Sequence, residues 1–257
     1  MAFPTGWLRK CIITVPDAQI SGSNINFPIF LTQDNFPSEM LDGGSNSALN
    51  GGGDVRFSED AAGTVQLPCD VVSFVTGGTP SAEIHVKLPT LNTGADKTFY
   101  VWYKKTGEVQ PAVTATYGRN AVWADFIAVY HLKETTGTDF INSTGNSAFD
   151  LSSSATSTNI TGKIGQGINF NGAYPNVVAA VVTAHPFSVT CWGKHDTLDA
   201  NSILVSGSRN ANHSRYWNLG IGTGAAGYKL QASTTNPGTV SAATTVGISA
   251  GNWFHAA

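Results

Sequence analysis

The chain has 257 residues, enough for two domains of average size, and only 12% of them are charged, with a net charge of −3. The absence of a basic run excludes the strong positive field of a nucleic-acid-binding protein, and the absence of an 18-residue apolar stretch excludes a transmembrane helix. The 28 glycines, with abundant serine, threonine and asparagine, predict short strands joined by turns.

The first hundred residues contain strand-like runs and no helical periodicity. The run 82–88 alternates apolar and other residues and the run 98–104 is rich in aromatic and β-branched residues, and both patterns predict strands. Proline within 25–32 and 65–75 favours an edge position or a bulge for those runs. Residues 1–121 are therefore predicted to form a small β-sandwich platform domain with a linker. The predicted strands are 8–15, 25–32, 54–57, 65–75, 82–88 and 98–104.

Strand-like runs return after a junction predicted at 105–121, at a spacing of about 10–15 residues with turn residues between them. This spacing is typical of a β-sandwich or a jelly roll, so residues 122–257 are predicted to form a second sandwich. The whole chain is therefore predicted to be all-β, with two antiparallel β-sandwich domains. The runs of the second domain are 122–132, 164–170, 176–182, 186–192, 202–206, 215–221, 228–232 and 239–246.

The sequence contains no recognisable catalytic constellation. A glycoside hydrolase needs two carboxylates about 5–10 Å apart, but the acidic residues of the second domain all lie in polar, loop-like stretches. No G-x-S-x-G motif is present, and the six histidines, including His85 and His131, are interpreted as structural side chains. We therefore predict that the chain is not an enzyme.

The cysteines are odd in number and far apart, with no spacing typical of a metal site. Cys11, Cys69 and Cys191 each lie in an apolar, strand-like run. Free cysteine behaves as a small apolar side chain and is among the most buried residue types. The sequence therefore predicts three buried thiols.

The best candidate for glycan binding is the segment 209–217, a loop that runs into a strand. Sugar sites combine exposed aromatic rings with a few orienting polar groups, and here Tyr216 and Trp217 follow Asn212 and Arg215. The alternative is that Trp217 belongs to the core and the other residues form a solvated loop. The tryptophans that lie in apolar runs and are predicted to be core residues are Trp102, Trp123, Trp192 and Trp253.

Several sequence blocks of the second half occur in an order and spacing that match a known family. The blocks are AVYHLKET (128–135), GKIGQGINFNG (162–172), PFSVTCWGK (186–194) and GNWFHAA (251–257). Residues 122–257 accordingly resemble a laminin-G/concanavalin-A-like domain, which implies a jelly-roll sandwich. In that family a block like GNWFHAA is followed by further strands, so we expect the sandwich to be incomplete at the C-terminus of this chain.

Blocks of the first half match a second family. They are FPIFL (27–31), DVRF (54–57), AEIHVKLP (82–89) and TFYVWY (98–103). Residues 1–121 are similar to a bacterial and phage domain of unknown function that often precedes a lectin-like sandwich. This resemblance implies a domain arrangement but no chemistry.

The resemblance to laminin-G-like domains also implies a candidate calcium site. Many such domains bind one Ca²⁺ at a loop rim through aspartate, asparagine and backbone oxygens, the hard ligands that this ion prefers. The matching residues here are Asp139, Asn142 and Asn146. The alternative is that these residues only form Asx-turns, in which the side chain accepts a hydrogen bond from the local backbone.

The two resemblances together favour a bacteriophage virion protein, such as a tail-fibre or baseplate component. The first residues do not form a secretory signal peptide, so we expect synthesis in the host cytoplasm and release by lysis. The expected partners are other virion subunits, host surface glycan and further copies of the chain in a homo-oligomer, without nucleic acid or membrane insertion. The alternatives are an extracellular bacterial carbohydrate-binding adhesin and a purely structural virion decoration protein.

Overall fold

Strands dominate the computed structural model, at 38% of the chain against 9% for helices, which confirms the all-β prediction. The described residues belong to two compact units, Met1–Val177 and Val178–Ala257. No helix in the described ranges is long and apolar enough to cross a membrane. The structure describes residues 3–135, 138–153, 156–170, 175–177, 181, 186–197, 202–208, 216–224, 227–235, 239–243 and 247–257.

The first unit begins with strands that pair into two antiparallel sheets. The strands are β1 (Arg9–Val15), β2 (Ser23–Thr32), β3 (Arg56–Ser58), β4 (Gln66–Leu67), β5 (Cys69–Val75), β6 (Ser81–Asn92) and β7 (Lys97–Tyr103). One sheet has the order β1-β7-β3-β4 and the other has the order β2-β6-β5. Apolar side chains of both sheets, such as Phe57 and Ile84, belong to one buried cluster, so the sheets pack face to face as the predicted sandwich.

Short helices lie in the connections. Met40 and Leu41, on the first of the α-helices, are buried in the sandwich core. The α-helices are α1 (Ser38–Leu41) and α2 (Arg119–Val122), and the 3₁₀ helices are Asp17–Gln19, Gln33–Asn35 and Ser147–Phe149.

The central strand β6 shows why the sandwich forms. Successive side chains of a strand point to opposite faces of the sheet, and on β6 the inward residues are fully apolar. Ile84, Val86 and Leu88 are each 0% exposed. Glu83 and His85, which flank Ile84, lie on the outer face, where Glu83 is buried and His85 is half-buried. A polar pair is therefore largely removed from solvent on the side of the sheet that faces away from the core.

The predicted strand at 122–132 is not formed. Helix α2 ends at Val122, and an irregular chain follows it. Trp123 is buried, whereas Phe126 and Ile127 are 44% and 49% exposed. A short apolar run does not distinguish a strand from another kind of buried segment, and here it packs Trp123 across the outer face of β6 without joining a sheet.

Arg56 binds the segment 105–121, which was predicted to be a junction, to the first sandwich. This guanidinium is buried at 4% exposure, and its Nη2 donates a hydrogen bond of 2.6 Å to the carbonyl of Val109. The same group lies 3.3 Å from the Glu108 carboxylate. The first compact unit continues to Val177, while the predicted domain ranges 1–121 and 122–257 rest on family resemblance and stay a prediction.

Small antiparallel ribbons complete the first unit, and a larger meander forms in the second. The ribbons of the first unit are β8 (Asp139–Phe140) with β9 (Leu151–Ser152), and β10 (Thr158–Thr161) with β11 (Gln166–Asn169). In the second unit β12 (Cys191–Lys194) pairs with β17 (Trp253–Ala256), and the meander is β13 (Ser202–Ser208), β14 (Tyr216–Gly224), β15 (Gly227–Thr235) and β16 (Thr239–Ala243). The jelly-roll arrangement stays a prediction.

Candidate functional site

Strands β5 and β6 place three ionisable side chains on the outer face of their sheet. Asp70 and His85 are directly opposite each other in the antiparallel register. Glu83 lies two residues before His85 on the same strand, and therefore shares its face. The register shifts between Val71 and Ser73, immediately beside this group. The group is thus created by strand pairing and not by any local sequence motif.

The segment after α2 covers this face and adds a fourth ionisable side chain. Trp123 Nε1 donates a hydrogen bond of 2.8 Å to Asp70 Oδ2, and His131 Nε2 lies 3.0 Å from the same oxygen. The His85 ring centroid lies 4.9 Å from that of Trp123 and 5.1 Å from that of His131. We call Asp70, Glu83, His85 and His131 the His–carboxylate cluster.

The cluster is largely removed from solvent. The side chains of Asp70, Glu83 and His131 are 5%, 7% and 9% exposed, and that of His85 is 14% exposed. Burial of Asp70 opposes its ionisation, but the hydrogen bonds from His131 and Trp123 and the electrostatic interaction with the rings of His131 and His85 outweigh this effect, so the pKa of Asp70 lies below its usual value. Asp70 is therefore a buried anion held by two donors.

The remaining donor atoms of the cluster face one another. Glu83 Oε1 lies 3.6 Å from His131 Nδ1 and 3.9 Å from His85 Nε2. One ligand atom from each of Glu83, His85 and His131 can be chosen so that all three lie within 4.8 Å of one another. His85 Nε2 is buried without a hydrogen-bond partner among the described residues. Three potential metal-ligand atoms thus lie close to one another.

Sequence reasoning did not group these residues. The alternation of 82–88 was a sufficient signal to place Glu83 and His85 on one face, but both histidines were interpreted as isolated structural side chains. Asp70 and His131 are 61 positions apart. Their contact depends on the register of β5 and on the path of the chain after α2, and neither has a sequence signature.

Of the predicted calcium residues, Asn142 and Asn146 contact each other in the loop between β8 and β9, whereas Asp139 lies on β8. Asn142 is 1% exposed, and its Oδ1 accepts hydrogen bonds from the backbone N–H groups of Val129 and Thr144 at 3.0 and 3.2 Å. Asn146 Oδ1 accepts from the N–H two residues further on, and Asp139 Oδ1 accepts from a serine hydroxyl at 2.9 Å. The bonds that Asn142 and Asn146 accept from the N–H two residues further on are Asx-turn bonds, while that of Asp139 is not, and the calcium site itself stays a prediction.

The predicted glycan-binding residues fall mostly outside the described part of the chain. Asn212 and Arg215 lie outside the described residues. Tyr216 and Trp217 begin β14, where their backbones pair with Ser208 and with the neighbouring glycine. Their side chains are not among those described, so this site stays a prediction.

A different aromatic surface occurs on the ribbon of β12 and β17. Trp192 pairs in register with His255, and Lys194 pairs with Trp253, so the four side chains share one face. The rings of Trp192 and His255 have centroids 5.2 Å apart. We call these four residues the ribbon face.

The burial of the tryptophans only partly follows the prediction. Trp102 and Trp123 are core residues at 8% and 5% exposure, as predicted. Trp192 is 42% exposed, so its prediction as a core residue is wrong, and Trp253 is half-buried. Trp192 is exposed because successive side chains of β12 point to opposite faces: Gly193 lies on the buried face and Trp192 on the other.

The cysteines follow the prediction in one of three cases. All three are free thiols, and Cys69 is buried at 3% exposure. Cys11 and Cys191 are half-buried. Burial raises the pKa of the Cys69 thiol to about 12, which suppresses its thiolate form.

Comparison with known proteins gave no match. No protein-family model matches the chain. No curated protein and no solved structure is significantly similar to it. Function must therefore be inferred from the chain's own side chains.

Proposed function

We propose that this chain is a non-enzymatic adhesion protein of a bacteriophage virion, a tail-fibre or baseplate component that binds host surface glycan through its second unit. The observation that carries the glycan-binding part is the ribbon face, where Trp192 is 42% exposed beside His255. The virion part rests on the resemblance of the sequence to phage-type and laminin-G-like domains.

The ribbon face has the chemistry that a sugar ring requires. A pyranose presents apolar C–H groups that stack on an aromatic ring, while its hydroxyls need donors and acceptors at the rim of the site. Trp192 supplies the exposed ring, and Lys194 and His255 supply polar groups on the same face. A patch of this kind is small, so each copy would bind weakly, and a homo-oligomeric virion component would gain affinity through several copies.

A glycan array probed with the full chain, with and without Ca²⁺, tests the proposal. Trp192→Ala should weaken binding about tenfold, which corresponds to about 1.4 kcal/mol, the scale of one stacking contact. The matched control is Phe27→Ala, which removes an aromatic ring that is also 42% exposed but lies in the first unit. This control should bind like the unmodified chain.

A further variant separates the two candidate surfaces of the second unit. If Trp217→Ala abolishes binding and Trp192→Ala does not, the glycan site is the segment 209–217 and not the ribbon face. If the unmodified chain binds no glycan at any Ca²⁺ concentration, the adhesion proposal is wrong, and a purely structural role among virion subunits takes its place.

A further inference from the structure

The donor atoms of the His–carboxylate cluster select a class of ligand. Two imidazole nitrogens and one carboxylate oxygen, from His85, His131 and Glu83, form the converging set. Ca²⁺ and Mg²⁺ prefer oxygen ligands alone. Imidazole together with carboxylate suits Zn²⁺ and the neighbouring divalent transition metals. These ligands therefore favour a transition-metal ion over Ca²⁺, the ion predicted at Asp139.

The spacing of these atoms fits such an ion. In a tetrahedral Zn²⁺ site with bonds of about 2.0–2.2 Å, neighbouring ligand atoms lie roughly 3.3–3.6 Å apart. Glu83 Oε1 lies 3.6 Å from His131 Nδ1 and 3.9 Å from His85 Nε2. All three ligand atoms lie within 4.8 Å of one another, so an inward movement of the side chains would bring them to coordination distances.

Asp70 orients His131 for coordination. Asp70 Oδ2 accepts the indole N–H of Trp123, and His131 Nε2 lies 3.0 Å from the same oxygen, so the N–H of the His131 ring is placed on Nε2 and donates to this carboxylate. In the neutral imidazole, the lone pair then lies on Nδ1, which faces Glu83. A carboxylate that holds the far nitrogen of a metal-binding histidine is a recurrent arrangement, and it fixes both the tautomer and the ring orientation.

His85 supplies an independent observation. Its Nε2 is buried and has no hydrogen-bond partner among the described residues, although it points towards the Glu83 carboxylate. A buried polar atom without a partner costs free energy, and native structures usually satisfy such atoms. A cation between Glu83 and the two rings would satisfy this nitrogen and neutralise the carboxylate together.

We propose that Glu83, His85 and His131 bind one divalent transition-metal ion, best represented by Zn²⁺, and that Asp70 is a positioning residue for His131. Two ligands belong to β6 and one to the segment after α2, so the ion joins that segment to the outer face of the sheet. Three protein ligands leave the fourth position of a tetrahedral ion open to water.

The test uses the full chain, stripped of metal with a chelator and then titrated with Zn²⁺ against a chromophoric competitor. We expect one equivalent to bind, the thermal unfolding temperature to rise, and Co²⁺ in place of Zn²⁺ to give the visible absorption of a tetrahedral site. Excess Ca²⁺ should not displace the ion. Failure of the folded, unmodified chain to bind one equivalent of Zn²⁺ overturns the proposal.

Matched variants assign the site to these residues. His85→Phe retains the ring that packs between Phe30 and Trp123 but removes the nitrogen, and Zn²⁺ affinity should fall at least 100-fold. The control His255→Phe makes the same change on the exposed ribbon face of the second unit and should retain full affinity. Equal affinities of these two variants would place the bound ion elsewhere and overturn the proposal.

Two further variants test the site even if His85→Phe does not fold. Glu83→Gln keeps the shape of a ligand side chain and should also lower affinity strongly, which matters if His85→Phe does not fold. Asp70→Asn leaves all three ligands in place, so it should keep the stoichiometry of one ion while weakening affinity about 10–100-fold. Unchanged affinity of Asp70→Asn would contradict the positioning role, and circular dichroism without metal establishes that each variant is folded.

Discussion

The Nε2 atom of His131 lies 3.0 Å from Oδ2 of Asp70, although 61 positions separate the two residues in the sequence. This contact fastens the segment after α2 to the outer face of the β2-β6-β5 sheet. Trp123 reinforces it, because its indole N–H donates to the same carboxylate oxygen. The covering segment is therefore held by bonds to one buried anion as well as by ring packing.

Trp123→Phe should destabilise the protein measurably. The change keeps an aromatic ring against His85 but leaves the buried Asp70 carboxylate without one of its donors. A hydrogen bond to a charged group contributes about 1.5–3 kcal/mol, so the free energy of unfolding in urea, with chelator present, should fall by about that amount. Trp192→Phe, at an exposed site, should change it by less than about 0.5 kcal/mol. Equal stability of the two variants would contradict the role of the Trp123 bond.

A buried and an exposed position of the β2-β6-β5 sheet can be compared with one kind of substitution. Ile84 on β6 is 0% exposed in the core, whereas Ile25 on β2 is 73% exposed. Ile84→Ala should lower the free energy of unfolding by about 2–5 kcal/mol, because it leaves a cavity as well as removing buried methyl groups. Ile25→Ala should lower it by less than about 0.5 kcal/mol. Denaturant unfolding of both variants measures the difference, and a small effect at Ile84 would show that the core is not packed as described.

The cysteines should differ in reactivity towards iodoacetamide. The thiolate is the reactive form, and burial raises the pKa of Cys69 to about 12. At pH 8 the native protein should therefore be alkylated at the half-buried Cys11, more slowly at Cys191, whose pKa burial also raises, and not at Cys69. Peptide mass spectrometry identifies the modified residues, and the urea-unfolded chain should react at all three. Modification of Cys69 in the native protein would contradict its burial.

The loop between β3 and β4 should make stability depend on pH in acid. Asp60 accepts backbone hydrogen bonds from Val65, Thr64 and Ala62, and these bonds, that of Val65 foremost, lower the pKa of Asp60 to about 2. Because this pKa is depressed in the folded state, the stabilisation is complete above the unfolded-state pKa of about 3.9 and is lost as the pH falls towards about 2.

Asp60→Asn isolates this effect, since the amide cannot ionise. The stability difference between the unmodified chain and the variant, from urea midpoints at several pH values, should be constant above about pH 5 and shrink below about pH 4. A difference that stays constant down to pH 2.5 would show that the Asp60 charge does not contribute.

The local pattern of apolar residues is sufficient to predict the strands of the first sandwich. It fails for residues 122–132, where the chain folds back over the sheet. The alternation of β6 is readable because its core residues, such as Ile84 and Val86, occupy every second position. Residues 122–132 have the composition of a strand, but Trp123 finds its partners on the outer face of β6 and in the Asp70 carboxylate. Tertiary contacts of this kind decide between a strand and a covering segment.

The candidate site was less predictable than the strands. Only Glu83 and His85 are close in sequence, and their relation to Asp70 is set by a register shift between Val71 and Ser73. The exposure of Trp192 depends on which face of a short ribbon packs inward. Both features are properties of pairing between distant segments, which a single sequence does not reveal.

The covering segment has a practical consequence for anyone who expresses the first sandwich alone. A fragment that ends at residue 121 would retain Asp70, Glu83 and His85 but lose Trp123 and His131. The two carboxylates would then lie on a bare face of the sheet, together with the half-buried ring of Phe30 beside His85. Such a fragment should be poorly soluble and poorly folded, so a usable truncation should extend to Val177, where the first compact unit ends.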